Sequence, residues 1–330
     1  MPFDRPDPFE PQEARLLRPP PVGARLLRPP GPPPPPPGRR PFGTLLGDGL
    51  RAAARAPLVV AGIFVCRTLE AVAALAPLLY VWTLLEGPIA RGDPLSALAI
   101  ALSPATWIVP AGILVACLIF AAALELVVWS GGIGVLDRVV RRQEPLEAIG
   151  TFAAGFGPAF PRLVIVAACM LAARVGLALF GWTLAQSAVG AALAGDGPGV
   201  AFVAAAGLSL AAVVGIAGSI FLPILHELAL ARCGALGEPP LAAILGAAAL
   251  LLRRPLVLVG VAFAIGLGTG VVAASTGVPV QLLFEGGVGV AVAVAASQLV
   301  AFAIVAFASV VRLGAWVSAA RDAQAAEGSA

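Results

Sequence analysis

Six stretches of this chain run for about 20 residues or more with almost no charged side chain: roughly 57–85, 104–129, 161–192, 200–231, 256–275 and 287–311. About 20 apolar residues of helix cross the roughly 30 Å of hydrocarbon in a bilayer. Backbone N–H and C=O groups in lipid must be satisfied within the protein, so long apolar runs read as helices. A β-barrel would need short strands of alternating polarity, and the runs show no such alternation. Composition agrees. The chain is 59% hydrophobic and 12% charged, with a mean hydropathy of +0.97. An ordinary soluble domain carries about 25% charged residues. The fold class expected is all-α: a polytopic membrane helical bundle with six transmembrane helices.

Aromatic residues mark the ends of these runs. Tyr80, Trp82, Trp107 and Trp182 fall near one set of ends, and Trp129 and Trp316 near the other. Amphipathic rings favour the membrane–water interface. Orientation follows from arginine. All 21 basic residues are Arg, and eighteen of them lie in the two termini or in the connections on the termini's side. The opposite loops carry only Arg91, while Arg67 and Arg174 fall inside spans. The positive-inside rule then puts both termini in the cytoplasm. Abundant Ala, Gly, Pro and Arg without Lys suggests a GC-rich genome, and the expected location is a bacterial inner membrane.

Residues 1–40 differ in kind. Ala14–Pro20 and Ala24–Pro30 both read ARLLRPP, and Pro32–Pro37 is an unbroken proline run. Such a segment cannot bury a core and is expected to be a disordered cytoplasmic tail of polyproline II character. It has two expected uses: a solvated linker, or a docking site for anionic lipid headgroups or a Pro-binding partner. Residues 321–330 read as a short cytoplasmic tail. Cys66, Cys117, Cys169 and Cys233 lack zinc or disulfide spacing and read as packing residues. The dispersed Arg and single His give no nucleic-acid footprint.

Between the tails, residues 41–320 contain an internal repeat. Pro41, Pro145 and Pro239 each precede a second proline by sixteen residues: Pro57, Pro161 and Pro255. Each second proline opens an odd-numbered span. The sequences there are RAPLVVAG, AFPRLVIV and RRPLVLVG. A short amphipathic segment lies between the paired prolines, with Phe42, Leu45, Leu46 and Leu50 on one face of the first copy. Leu146, Ile149, Phe152 and Phe156 recur at similar spacing in the second. Proline suits a first helical turn. Each unit is therefore read as an interfacial helix that the second proline breaks, followed by a hairpin of two spans. The three parallel units cover about 41–130, 145–232 and 239–318.

Copies two and three share an entry motif, Glu144-Pro145-Leu146 with Ala148-Ile149, and Glu238-Pro239-Pro240-Leu241 with Ala243-Ile244. With the six-span layout, this motif resembles the membrane domain of bacterial glycerophosphodiester phosphodiesterases and related multi-pass bacterial proteins. The resemblance covers about residues 41–320 and implies a membrane domain only. The soluble phosphodiesterase domain is missing, so no catalytic residue and no hydrolase activity is implied.

Ionisable groups inside a membrane are costly and mark functional candidates. Arg67 and Glu70 stand three apart in the first span and share a helical face. Glu125 lies toward the termini's side of the second span, Arg174 well inside the third, and His226 with Glu227 near that end of the fourth. These six form a candidate intramembrane polar cluster. Two readings stand. One is a site for a lipid headgroup, an anion or a proton. The other is structural, with Arg67 neutralising Glu70 and Arg174 pairing with Glu125 or Glu227. His226-Glu227 lacks the second His of a zincin helix, so a span-end anchor is its simpler reading. Gly266 and Gly270 form GxxxG, which permits close helix approach and is read as packing inside the bundle ahead of dimerisation. Pro110 and Pro223 are expected to kink their spans. No catalytic motif, metal cluster or cofactor fingerprint is present, and no enzyme is expected. The leading function is a non-enzymatic membrane organiser, lipid-interacting or scaffold protein. The alternative is a small transporter or permease subunit. Convergence of the charges on one cavity would separate a binding site from scattered anchors.

Overall fold

The computed structural model describes residues 40–142, 148–194, 197–281 and 288–328. All of the expected tail at 1–40 except Arg40, and the entry residues Glu144, Pro145 and Leu146, lie outside the described residues. Those described form nine helices and no strand: α1 Phe42–Arg55, α2 Pro57–Ala90, α3 Pro94–Leu102, α4 Pro104–Val140, α5 Ala148–Ala194, α6 Pro198–Leu236, α7 Pro240–Arg253, α8 Pro255–Gln281 and α9 Val288–Glu327. The chain is an all-α integral membrane protein. Five helices are long and apolar enough to span a bilayer, and α1 with the first part of α2 makes a sixth candidate bent by 86°. The expected first span is α2, whose axis turns away from α1 at Ala56.

The first and third copies of the repeat match in register. α1 buries Leu45, Gly49, Ala52 and Ala53. α7 buries Ala243, Ala247, Leu250 and Leu251. Counted from Pro41 and Pro239, these are the same four positions in each copy. Both helices stop before a proline, because that residue disfavours helical backbone in its predecessor. Pro57 and Pro255 then open the next helix, where a missing N–H costs nothing.

The second copy departs from this pattern. α5 runs unbroken from Ala148 to Ala194 with Pro158 and Pro161 inside it. The interfacial helix expected before Pro161 is therefore the first part of one long helix. Its Ile149 is exposed rather than packed. A further difference is α3, a short helix where a loop was expected. Asp93 caps it by accepting hydrogen bonds from the Ser96 amide and hydroxyl. Those bonds hold the Asp93 carboxyl below its ordinary pKa.

α9 is the central element and packs against α1, α2, α4, α6 and α8. Glycine permits its closest approach. A Cβ on Gly314 would sit 2.8 Å from the Cβ of Ala52 and 3.2 Å from the Cα of Gly49. The GxxxG pair at Gly266 and Gly270 was expected to pack internally, yet among the described residues neither has a neighbour within 4 Å of its Cβ position. The close approach occurs instead where helices pack under the arginine-rich end, defined by α1, α7 and the C-terminal turns of α4, α6 and α9.

Residues read as a C-terminal tail continue α9 and lock this end together. Arg321 donates to both carboxylate oxygens of Asp137 on α4, at 2.7 and 2.9 Å, and to the carbonyl of Ala235 on α6. Asp322 accepts from Arg254 at 3.2 Å and from the backbone N–H of Arg40 at 3.3 Å. The packed core gathers at this end, around Ile63, Ile133, Leu163, Leu228, Leu258 and Trp316. Toward the other end large apolar side chains face outward, among them Val72, Ile108, Phe120, Leu179, Phe202 and Leu267. Apolar surface on that scale suits hydrocarbon rather than water.

Candidate functional site

A cavity of about 300 Å³ sits where the packed end gives way to the outward-facing helices. Five helices meet around it. α2 contributes Arg67, α4 contributes Glu125 and Trp129, and α5 contributes Arg174. α6 contributes His226 and Glu227, and α9 contributes Ser309 and Arg312. Five of the six residues expected to form an intramembrane cluster thus line one chamber. The sixth, Glu70, stands just outside it and binds Arg67.

The carboxylates are held in two similar arrangements. Arg67 donates from one nitrogen to Glu70 at 2.6 Å and from the other to Glu125 at 2.8 Å. Trp129, one turn after Glu125, donates its indole N–H to the same Glu125 oxygen at 3.2 Å. Across the cavity, Glu227 accepts from Arg312 at 2.5 Å and from the Trp316 indole at 2.8 Å. Each carboxylate therefore takes one guanidinium and one indole. Charge-assisted bonds of this kind are the strong ones in a low-dielectric interior.

This geometry corrects four expectations. Arg174 was expected to pair with Glu125 or Glu227, but both are taken by other arginines. Its contact is with His226, whose Nδ1 lies 3.4 Å from the Arg174 Nη2. His226 is consequently part of the cavity wall rather than a span-end anchor. Trp129 and Trp316 are buried and serve the two carboxylates, whereas Trp82, Trp107 and Trp182 remain exposed as interface residues would be. Arg312, counted with the C-terminal charges in sequence, belongs to the cavity. Its signal was the four-residue spacing of Arg312 and Trp316, which repeats that of Glu125 and Trp129.

Donors outnumber acceptors here. With Arg174 donating to Nδ1, the neutral His226 ring carries its proton on Nε2. That Nε2 is buried and, among the described residues, without a partner, as is the Nε of Arg312. Among the described residues Arg174 has no carboxylate within 4.0 Å. The chamber opens beside two grooves with mostly apolar walls. One, of about 360 Å³, runs between α5 and α6 and shares Arg174 with the cavity. The other, of about 240 Å³, lies between α6, α8 and α9 and shares Glu227 and Arg312. Comparison with family models, curated proteins and solved structures gives no match.

Proposed function

We propose that the chain is a non-enzymatic, lipid-interacting protein of a bacterial inner membrane, with both termini cytoplasmic. The observation that carries this reading is convergence. Isolated arginines in a span can snorkel toward the interface, yet here five helices direct charged or polar side chains into one chamber. A polar chamber joined to apolar grooves matches an amphiphile better than a hydrated ion. Each carboxylate at the chamber is already engaged by arginine, which favours binding over acid–base chemistry. The Pro- and Arg-rich tail adds a second contact, with anionic headgroups or with a Pro-binding partner.

A small transporter is the second reading, favoured by a cavity that lies between helices of all three repeats. Native mass spectrometry of the detergent-purified protein separates lipid binding from an empty scaffold. Retained lipid is expected on the wild-type chain and its loss on Ala167→Phe, which fills the chamber from α5. Equal lipid retention by both proteins would overturn the binding reading. Solute uptake into proteoliposomes that Ala167→Phe abolishes would establish the transporter reading instead.

A further inference from the structure

We propose, building on the lipid-binding reading, that the site takes one anionic diacyl lipid that straddles α6, with its phosphate at Arg174 and one acyl chain in each flanking groove.

The charge at Arg174 comes first. It stands thirteen positions beyond Pro161, about 20 Å of helix at 1.5 Å per residue. Its side chain is exposed, and its one polar contact among the described residues is a neutral ring. A guanidinium at such depth needs a counter-anion. Glu125 and Glu227 cannot serve, since each is held by another arginine and a tryptophan. Three guanidinium groups and two carboxylates line the chamber, so its walls carry a net positive charge. Glu70 offsets that charge only at Arg67, on the far helix. A phosphate matches the planar fork of Arg174 with two parallel N–H···O bonds.

The grooves fix the rest of the ligand. Both meet at Ser219 and Pro223 on α6, one on either side of that helix. Leu177 and Ala178 follow Arg174 along α5, and Gly215 and Gly218 precede His226 along the antiparallel α6. The α5–α6 groove therefore leads from the chamber away from the arginine-rich end, toward the outward-facing part of the bundle. A lipid of the leaflet at the arginine-rich end has this polarity, with its head toward the arginines and its chains toward the bilayer centre. Gly215 has open space where a side chain would stand, which leaves a path for a chain. Single-chain anions or free phosphate would leave one or both grooves empty.

The test titrates detergent-purified protein with dioleoyl phosphatidylglycerol, dioleoyl phosphatidylethanolamine and sodium phosphate, read by native mass spectrometry and thermal shift. One phosphatidylglycerol per chain is expected, bound about tenfold or more tightly than phosphatidylethanolamine, whose phosphate is the same but whose ammonium brings a positive charge to walls that already hold one guanidinium in excess. Arg174→Gln should remove that preference while leaving the protein folded, because the side chain is exposed. Gly215→Phe, which fills the α5–α6 groove, should weaken both lipids and leave the preference intact. Equal affinity for the two lipids overturns the requirement for a net anionic headgroup, and a preference that survives Arg174→Gln overturns the assignment of Arg174, while lipid binding itself stands. Free phosphate competing as well as the lipid overturns the two-chain assignment. Absence of any bound lipid overturns the underlying function as well.

Discussion

The indole N–H of Trp316 donates to Glu227 at 2.8 Å, and Arg312, one turn earlier on the same helix, holds the other carboxylate oxygen. A fully buried tryptophan thus fixes a charged residue on a neighbouring helix. Trp316→Phe keeps an aromatic ring but removes this donor and some volume. A loss of about 1–3 kcal/mol in stability is expected, from the unmet carboxylate oxygen and the space left behind. Thermal unfolding in detergent checks it. The control is Trp182→Phe, at an exposed ring, which should change stability by less than about 0.5 kcal/mol.

Arg67 lies between two carboxylates, so its removal leaves both without their cation. Arg67→Leu is expected to cost about 3 kcal/mol or more. Adding Glu70→Gln and Glu125→Gln to that variant should restore part of the loss, because neutral amides do not require a counter-charge. A mutant cycle on detergent melting temperatures measures the coupling. Additive effects would show that the three side chains act independently, contrary to the 2.6 and 2.8 Å contacts.

These two clusters show how far the sequence could be read. The six apolar runs, the all-helical class and five of the six lining candidates followed from hydropathy and from the cost of charge in lipid. Pairing did not. Arg67 to Glu70 was legible because both lie on one helix at a fixed spacing, whereas Glu125, Glu227 and Arg312 meet across helices. Arg312 sits one residue past the run's apparent end, so counting it with the C-terminal charges was natural. α9 continues through Arg321 to Glu327, and helix continuity carries no mark in hydropathy. Proline misled in the second repeat. Pro161 occupies the same place as Pro57 and Pro255, yet α5 passes through it. The prolines show where a helix is free to break, and packing decides whether it does.

Orientation can be tested by single cysteines placed at Arg91 and Arg253 in a cysteine-free background. Both side chains are exposed, at opposite ends of the bundle. Arg91 is preferable to Gly92, whose φ of +69° penalises any side chain. An impermeant maleimide should label position 91 on intact cells and position 253 only after permeabilisation. The reverse pattern would place both termini outside.

The last prediction separates two glycines one half-turn apart on α1. Among the described residues Gly47 has no neighbour within 4 Å of its Cβ position, whereas a Cβ on Gly49 would collide with the backbone carbonyl of Val311 on α9. Both lie inside a helix, where glycine costs roughly 0.5–1 kcal/mol relative to alanine. Gly47→Ala should therefore stabilise the protein by up to that amount. Gly49→Ala gains the same helical preference but must push α1 off α9. The obstacle is main chain rather than a movable side chain, and overpacking of a tight contact costs about 1–3 kcal/mol. The net effect at Gly49 should be a loss. It should be accompanied by faster hydrogen exchange along α1, since α9 is the helix it packs against most extensively. A stabilising Gly49→Ala would mean that α1 does not rest on α9 at the arginine-rich end. The shared burial register of Leu45, Gly49, Ala52 and Ala53 with Ala243, Ala247, Leu250 and Leu251 would then lose its structural cause in the first repeat.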